Sequence, residues 1–194
     1  MEAIMKYVIL ILTGLLLFPQ WAISENKACD GATTQMFGVY LKCATRYALR
    51  KAIQAAGVNK NDISQYEFQD RYKRTRKLVD KTRYLDVFFT NDGLVSQVKY
   101  NFYTLGRKGM KDVFDMVSYK YGKPTSTKKA SEVNSGKDYI WKLKDGIIIL
   151  LSEYSDGINL TYTNPKAYKV MEREKLAFEK KVKKERYESQ RNNF

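Results

Sequence analysis

Histidine is missing altogether from these 194 residues. Its absence removes Ser-His-Asp and Cys-His catalysis, His-ligated zinc and the commonest general base near neutral pH. Carboxylates and lysines remain as acid–base groups, and no arrangement of them stands out. Cysteine is almost missing too, with only Cys29 and Cys43. Proline occurs three times, and each one marks a boundary: Pro19 breaks an apolar run, Pro124 follows a helix end and Pro165 opens a helix. Long hydrophobic stretches are lacking as well. The run Tyr7–Phe18 is too short for a hydrocarbon core, which takes about 20 residues, and no later run approaches that length.

What is present begins with an address. Met1–Lys6 carries one lysine, Tyr7–Phe18 is apolar, and Ala22-Ile23-Ser24 gives the small-x-small pattern read by a signal peptidase. The expectation is a signal peptide over residues 1–24, cleaved after Ser24, with an uncleaved anchor as the alternative. Residues 25–164 then form an α+β domain and residues 165–194 a basic C-terminal helix. Cleavage removes Lys6 and Glu2 together, so the net charge of +14 is unchanged. Such a charge favours nucleic acid, phospholipid or lipopolysaccharide head groups, or acidic proteins, although its commonest meaning is solubility. In an oxidising compartment Cys29 and Cys43 are expected to form a disulfide, with two free thiols as the rival reading. Closing a loop of that size stabilises by roughly 3 kcal/mol in the chain-entropy model. Cys29 is not a lipidation site, because Asn26-Lys27-Ala28 lacks the apolar residue a lipobox needs.

Hydrophobic spacing places a first helix over Thr45–Ala56, with Leu49, Ala52, Ile53 and Ala56 on one face and Arg46, Arg50 and Gln54 pointing away. Thr45 is its N-cap and Gly57 its C-terminal cap. A strand over Gln65–Tyr72, with Tyr66 and Phe68 on one side, and an exposed basic loop over Arg71–Arg83 are expected next. Three Asp-Gly pairs, at 92–93, 145–146 and 156–157, lie between β-rich runs and suit tight hairpin turns. The first joins Tyr84–Thr90 to Leu94–Tyr103. The others build a meander of Asp138–Leu143, Ile147–Tyr154 and Ile158–Thr163, whose middle strand is apolar on both faces, as a strand covered on both sides would be. Between hairpin and meander, Met110, Val113, Phe114 and Val117 stripe a helix over Lys108–Tyr121, ended by Gly122 and Pro124. Thr125–Lys137 reads as a polar linker. Asn164-Pro165 opens the last helix, with Asn164 as N-cap and an apolar stripe of Val170, Met171, Ala177, Phe178 and Val182. Its proximal half should dock and its distal half should be solvated. The fold class is α+β: an antiparallel sheet of five to six strands, hairpin plus meander, packed with helices, with a helix-plus-strands unit used twice and a long C-terminal helix.

The segment Phe37-Gly38-Val39-Tyr40-Leu41, the capped helix ending in Ala-Gly, and then Tyr84–Tyr103 resemble small exported bacterial proteins with helices packed on an antiparallel sheet. The outer-membrane-assembly lipoproteins and the β-lactamase inhibitor proteins share that design. The resemblance covers residues 36–104 and extends to 107–163, and it departs from the lipoproteins in having no acylated cysteine directly after the signal. It carries over no functional residue. It implies a Gram-negative periplasmic binding or assembly module rather than an enzyme.

Aromatic and basic residues interleave from Tyr66 to Tyr84, a mixture used by single-strand nucleic-acid platforms. Export makes nucleic acid an unusual ligand, and a sheet rim with solvated Lys and Arg is the simpler explanation. Asp112 with Asp115, and Glu172 with Glu179, sit at helical spacing but look like ordinary exposed faces rather than an acid–base pair. Asn159-Leu160-Thr161 matches a glycosylation sequon by chance, within a strand. Terminal Phe194 lacks the alternating residues of an outer-membrane strand before it. The expected function is therefore an exported, periplasmic, non-enzymatic module, without cofactor or metal, binding a protein or an anionic envelope component. Its candidate surface is Arg71, Lys73, Arg74, Arg76 and Lys77 together with Lys180, Lys181, Lys183 and Lys184. The alternative is a proteinaceous inhibitor of a secreted or periplasmic enzyme.

Overall fold

A computed structural model describes residues 29–73, 75–103, 106–129, 136–154 and 157–191. The signal peptide expected over residues 1–24 lies outside them, as do Arg74 and Asp156. Cys29 and Cys43 are disulfide-bonded. The fold itself lies within Gly31–Phe194.

A short hairpin, β1 (Gln35–Met36) and β2 (Val39–Tyr40), turns through Phe37 and Gly38, both at positive φ. Helix α1 (Arg46–Ala55) follows, capped by Thr45, whose side chain accepts from the Ala48 N–H at 3.2 Å. Leu49 and Ile53 are fully buried, and Gly57 takes φ +105° just past the helix. Four antiparallel strands come next: β3 (Ile63–Gln65), β4 (Gln69–Lys73), β5 (Thr82–Phe89) and β6 (Val95–Phe102). Helix α2 (Gly106–Tyr121) precedes four more: β7 (Ser126–Lys129), β8 (Lys137–Lys142), β9 (Ile148–Tyr154) and β10 (Gly157–Thr163). The last element is α3 (Pro165–Arg191). All eight strands from β3 onward form one sheet in the order β3-β4-β5-β6-β10-β9-β8-β7.

A helix and a four-strand meander are thus used twice, and the two meanders meet where β6 pairs with β10. Gly157 sits at the end of that seam. A Cβ there would stand 2.3 Å from the Phe102 carbonyl oxygen, well inside contact distance.

Register settles which residues share a face. Asp70 pairs with Val87, Val87 with Val98, and Tyr100 with Leu160, so these side chains lie together under α1 and α2. Phe114 of α2 packs on Tyr139 and Trp141 of β8, with ring centroids at 4.6 and 5.9 Å. The Trp141 indole N–H donates to the Gly122 carbonyl at 2.9 Å, tying the helix end to the sheet. Helix α3 lies along β5 and β6 instead. The Asn164 side chain accepts from the Ala167 N–H at 3.4 Å, Ala167 and Met171 are buried, and Phe178 meets Phe68 edge-on at 5.9 Å.

The structure corrects several expectations. The sheet has eight strands, with a separate two-stranded hairpin, rather than five to six. Gln65–Tyr72 is not one strand: β3 and β4 are joined by a tight turn in which the Tyr66 N–H donates to Gln69 O at 2.7 Å, leaving Tyr66 exposed and Phe68 buried. Arg71–Arg83 is not a loop, since it holds the end of β4, the 3₁₀ turn Thr75–Lys77 and the start of β5. In β4 the inward side chains are Asp70 and Tyr72, so no apolar alternation marks it. Part of the linker Thr125–Lys137 is the edge strand β7, held to β8 by backbone pairing that polar residues serve as well as apolar ones. Arg46 and Arg50 do not point away from the core but reach in to Asp70. The middle strand of the meander is not covered along both faces: Ile149 and Leu151 are fully buried, whereas on the other face Ser152 is buried but Ile148 and Leu150 are partly exposed.

Candidate functional site

The predicted basic residues fall into two groups that the fold treats differently. Arg71 and Lys73 sit two apart on β4 and so share the sheet face turned away from α1 and α2. The Arg71 guanidinium donates to both oxygens of Asp86, at 2.7 and 3.0 Å, and stacks on Tyr84 at 4.3 Å. Asp86 is almost fully buried and also accepts from Asn101 at 3.4 Å. The bonds to Asp86, working against partial desolvation, raise the Arg71 pKa. Arg71 is therefore charged but neutralised where it stands. Lys73 ends β4 exposed, and exposed Arg76 lies over the Tyr103 ring at 5.1 Å. Arg74 and the side chain of Lys77 lie outside the described residues.

Lys180, Lys181, Lys183 and Lys184 are all exposed on the distal half of α3. Phe178 on Phe68 is the last ring contact between the helix and the sheet unit, and no residue from Glu179 to Arg191 is buried. Helical structure nevertheless continues to Arg191. Along it, Lys181 pairs with Glu185 at 3.9 Å and Lys184 with Glu188 at 3.7 Å, contacts that give isolated helices a few tenths of a kcal/mol each. The Lys183 ammonium lies 5.7 Å from the Tyr187 ring. The carboxylates spaced as pairs are ordinary surface partners: Asp115 of Lys111, Asp112 of Lys81, Glu179 of Lys175 and Glu172 of the Tyr168 hydroxyl. Among the described residues no group of three or more Cys, Asp or Glu is placed to hold a metal.

Two charged sites escaped the sequence reading. Asp70 has no accessible surface and is held by Arg46 at 2.8 Å, by Arg50 at 2.7–2.9 Å and by the Tyr72 hydroxyl at 3.3 Å. Arg46 also donates to the Tyr66 carbonyl at 2.9 Å and lies over the Phe89 ring at 4.4 Å. Burial, then the Asp70 charge, pushes the Tyr72 phenol well above its ordinary pKa. Asp145, in the turn before β9, accepts from the backbone N–H groups of Thr33 at 3.0 Å, Thr34 at 2.7 Å and Ile147 at 3.2 Å. Burial opposes its charge, but these bonds outweigh burial and hold its carboxyl at about 2. Both clusters join distant segments and are closed by their own partners, which makes them struts of the fold.

A cavity of about 210 Å³ lies between α2 and the sheet. Tyr100, Tyr121, Tyr162 and Leu160 line it, with Met116 and Lys120 contributed by α2. Burial raises the pKa of Tyr100 and Tyr162, so these phenols stay neutral. The space is larger than a roughly 150 Å³ cavity that holds benzene, but Lys120 is the one Lys, Arg, Asp or Glu in its lining.

No family model matches the chain, and no curated protein matches it. The chain is similar to a DUF4309 family protein (YjgB) from Bacillus subtilis subsp. subtilis str. 168, at 14% identity over 70% of this chain and 90% of that one. The TM-score is 0.39, too low to transfer a property.

Proposed function

We propose that the protein is an exported, periplasmic, non-enzymatic module that captures an anionic envelope component through its C-terminal helix. The observation that carries this reading is the distal half of α3: Lys180, Lys181, Lys183, Lys184, Arg186 and Arg191 stand against Glu179, Glu185 and Glu188 on a stretch of helix with no buried residue. A cationic element that stabilises nothing beneath it is free to act on a partner. Export is supported by the disulfide, which persists in oxidising compartments. The described residues contain no helix long and apolar enough to cross a membrane. The β4–β5 basic cluster is the weaker half of the surface, because Asp86 neutralises Arg71.

The test is capture from envelope extract at two salt concentrations, with wild type beside a variant carrying Glu at Lys180, Lys181, Lys183 and Lys184. Wild type is expected to retain an anionic component that high salt releases, since screening shortens to about 8 Å at physiological ionic strength. The variant should lose it while keeping its melting temperature, because exposed charges contribute little to stability. A variant that binds as well as wild type would move the alternative, an inhibitor of a secreted or periplasmic enzyme, to first place. That reading draws on the sheet face away from α1 and α2, where Tyr84, Lys99 and Leu150 remain half exposed.

A further inference from the structure

We infer that α3 carries a one-dimensional ladder of cations, all but Lys184 unpaired, along its outer side, and that its partner is a single extended phosphodiester polymer lying along the helix. This rests on the anionic-partner reading above and narrows it to one chemistry.

The inner side of α3 is marked by its contacts. Ala167 and Met171 are buried, Glu174 accepts from the Asn91 N–H at 2.8 Å, and Phe178 touches Phe68. At 3.6 residues per turn these four fall on one line. The opposite line passes through Lys166, Lys169 and Arg173 over the docked half. Over the distal half it passes through Lys180, Lys183, Lys184 and Arg191, with Leu176 and Tyr187 filling the remaining steps. All of these side chains are exposed. The cations recur every one or two turns, about 5 to 10 Å apart, over roughly 38 Å from Lys166 to Arg191.

Ion pairing divides the lysines by side. Lys175 and Lys181 lie on the flanks, and each is paired with the glutamate four residues on, at 4.0 and 3.9 Å. On the outer line only Lys184 is paired. Among the described residues no carboxylate lies within 4.0 Å of the charged groups of Lys166, Lys169, Arg173, Lys180, Lys183 or Arg191. Apart from Arg186 on the flank, uncompensated charge on α3 is therefore concentrated on a band one helix wide. Glu172 and Glu179 border it on one side and Glu188 on the other, so a flat anionic surface would meet acidic residues at both margins while a single strand lies between them. Bilayer insertion would also need a continuous apolar face. Over the docked half that face lies against the sheet, and the exposed Leu176, Phe178, Val182 and Tyr187 fall on two opposite sides of the helix.

The test uses the full mature chain with poly(glycerol phosphate) of graded length, vesicles of phosphatidylglycerol and phosphatidylcholine, and orthophosphate. Two variants remove equal charge: K169Q/R173Q/K180Q on the ladder, and K175Q/K181Q/R186Q off it. Wild-type affinity for the polymer should rise with length until the chain spans about 38 Å, then level off, and orthophosphate should not compete at equal phosphate. Plotted as log K against log salt, the ladder variant should lose about 2 units of slope, at roughly 0.7 per phosphate contact of a single strand, while the off-ladder variant keeps the wild-type slope. Equal losses in both variants overturn the ladder and leave only diffuse attraction. Vesicles that bind as tightly as the polymer, with the same variant pattern, overturn the linear partner in favour of a planar one. If wild type binds neither polymer nor vesicle, the anionic-partner reading falls with it.

Discussion

Solvent does not reach Asp70, so two guanidinium groups and a phenol take the place of its water shell. Each arginine keeps about a quarter of its side-chain surface exposed, which lets the net positive charge of the cluster reach water. Removing one partner from such a set strands the rest, at a cost of roughly 3–5 kcal/mol. Asp70→Ala should lower the unfolding free energy by about that amount in urea titration, and a loss under 1 kcal/mol would show that water enters to replace the carboxylate. Asp145 makes a pH-dependent contribution instead. Its folded pKa of about 2 lies below the ordinary value of 3.8, so the unfolded chain binds its proton first as pH falls. Its stabilising effect is complete above pH 4 and is lost as pH drops from about 4 to about 2. Asp145→Asn should remove that part of the acid sensitivity, as melting temperatures between pH 5 and 2 will show. Neither role could be read from neighbouring residues. The charged partners of Asp70 lie at positions 46 and 50, and the distant partners of Asp145 at 33 and 34, and periodicity assigns charged residues to the solvent side unless a distant counter-charge is known.

Among the elements, the ones with internal signals were legible. Helices α1 and α2 follow their apolar stripes, and the Asp-Gly pairs at 92–93 and 145–146 sit in hairpin turns with both glycines at positive φ. Strands β3 and β7 were missed, and β4 was merged with the turn before it into one strand over Gln65–Tyr72, because these strands are short, lie at or next to a sheet edge, and carry polar side chains outward. Helix α3 shows both situations along its length. Its first turns are anchored by Ala167 and Met171, and its later turns only by the half-exposed Phe178. Truncation after Val182 should leave the melting temperature nearly unchanged, whereas truncation before Pro165 should unfold the protein at ordinary temperature. Met171→Ala is expected to cost roughly 2–5 kcal/mol, and Phe178→Ala less, because 42% of Phe178 is already exposed. Calorimetry on the four chains decides this, and equal stability of both truncations would mean that the helix never packs. The outer ladder of the helix was legible only in part. Lys180, Lys183 and Lys184 stood out as a basic cluster, but Lys166, Lys169 and Arg173 emerge only once the docked side is known.

In the whole molecule, the strand order reads the same from either edge in terms of position within each meander: first, second, third, fourth, then fourth, third, second, first. The two fourth strands run antiparallel from Phe102↔Ile158 to Gln97↔Thr163. A half-turn about an axis through that seam therefore exchanges the halves, and the chain has the form of a symmetric dimer whose subunits are fused end to end. Each half alone would expose the full edge of its fourth strand, a template for whatever strand meets it. Cutting the chain between Tyr103 and Gly106 should thus leave two fragments that recombine. Mixed, they should elute together at the size of the intact protein, with α3 of the second fragment bracing β5 and β6 of the first. Kept apart, each should pair with its own copy across the same edge, since an isologous contact needs only one self-complementary strand. Fragments that stay monomeric in both experiments would mean the seam cannot form without its covalent link. Recombination would make the fourth-strand edge a portable join, able to bring together any two passengers attached to the halves.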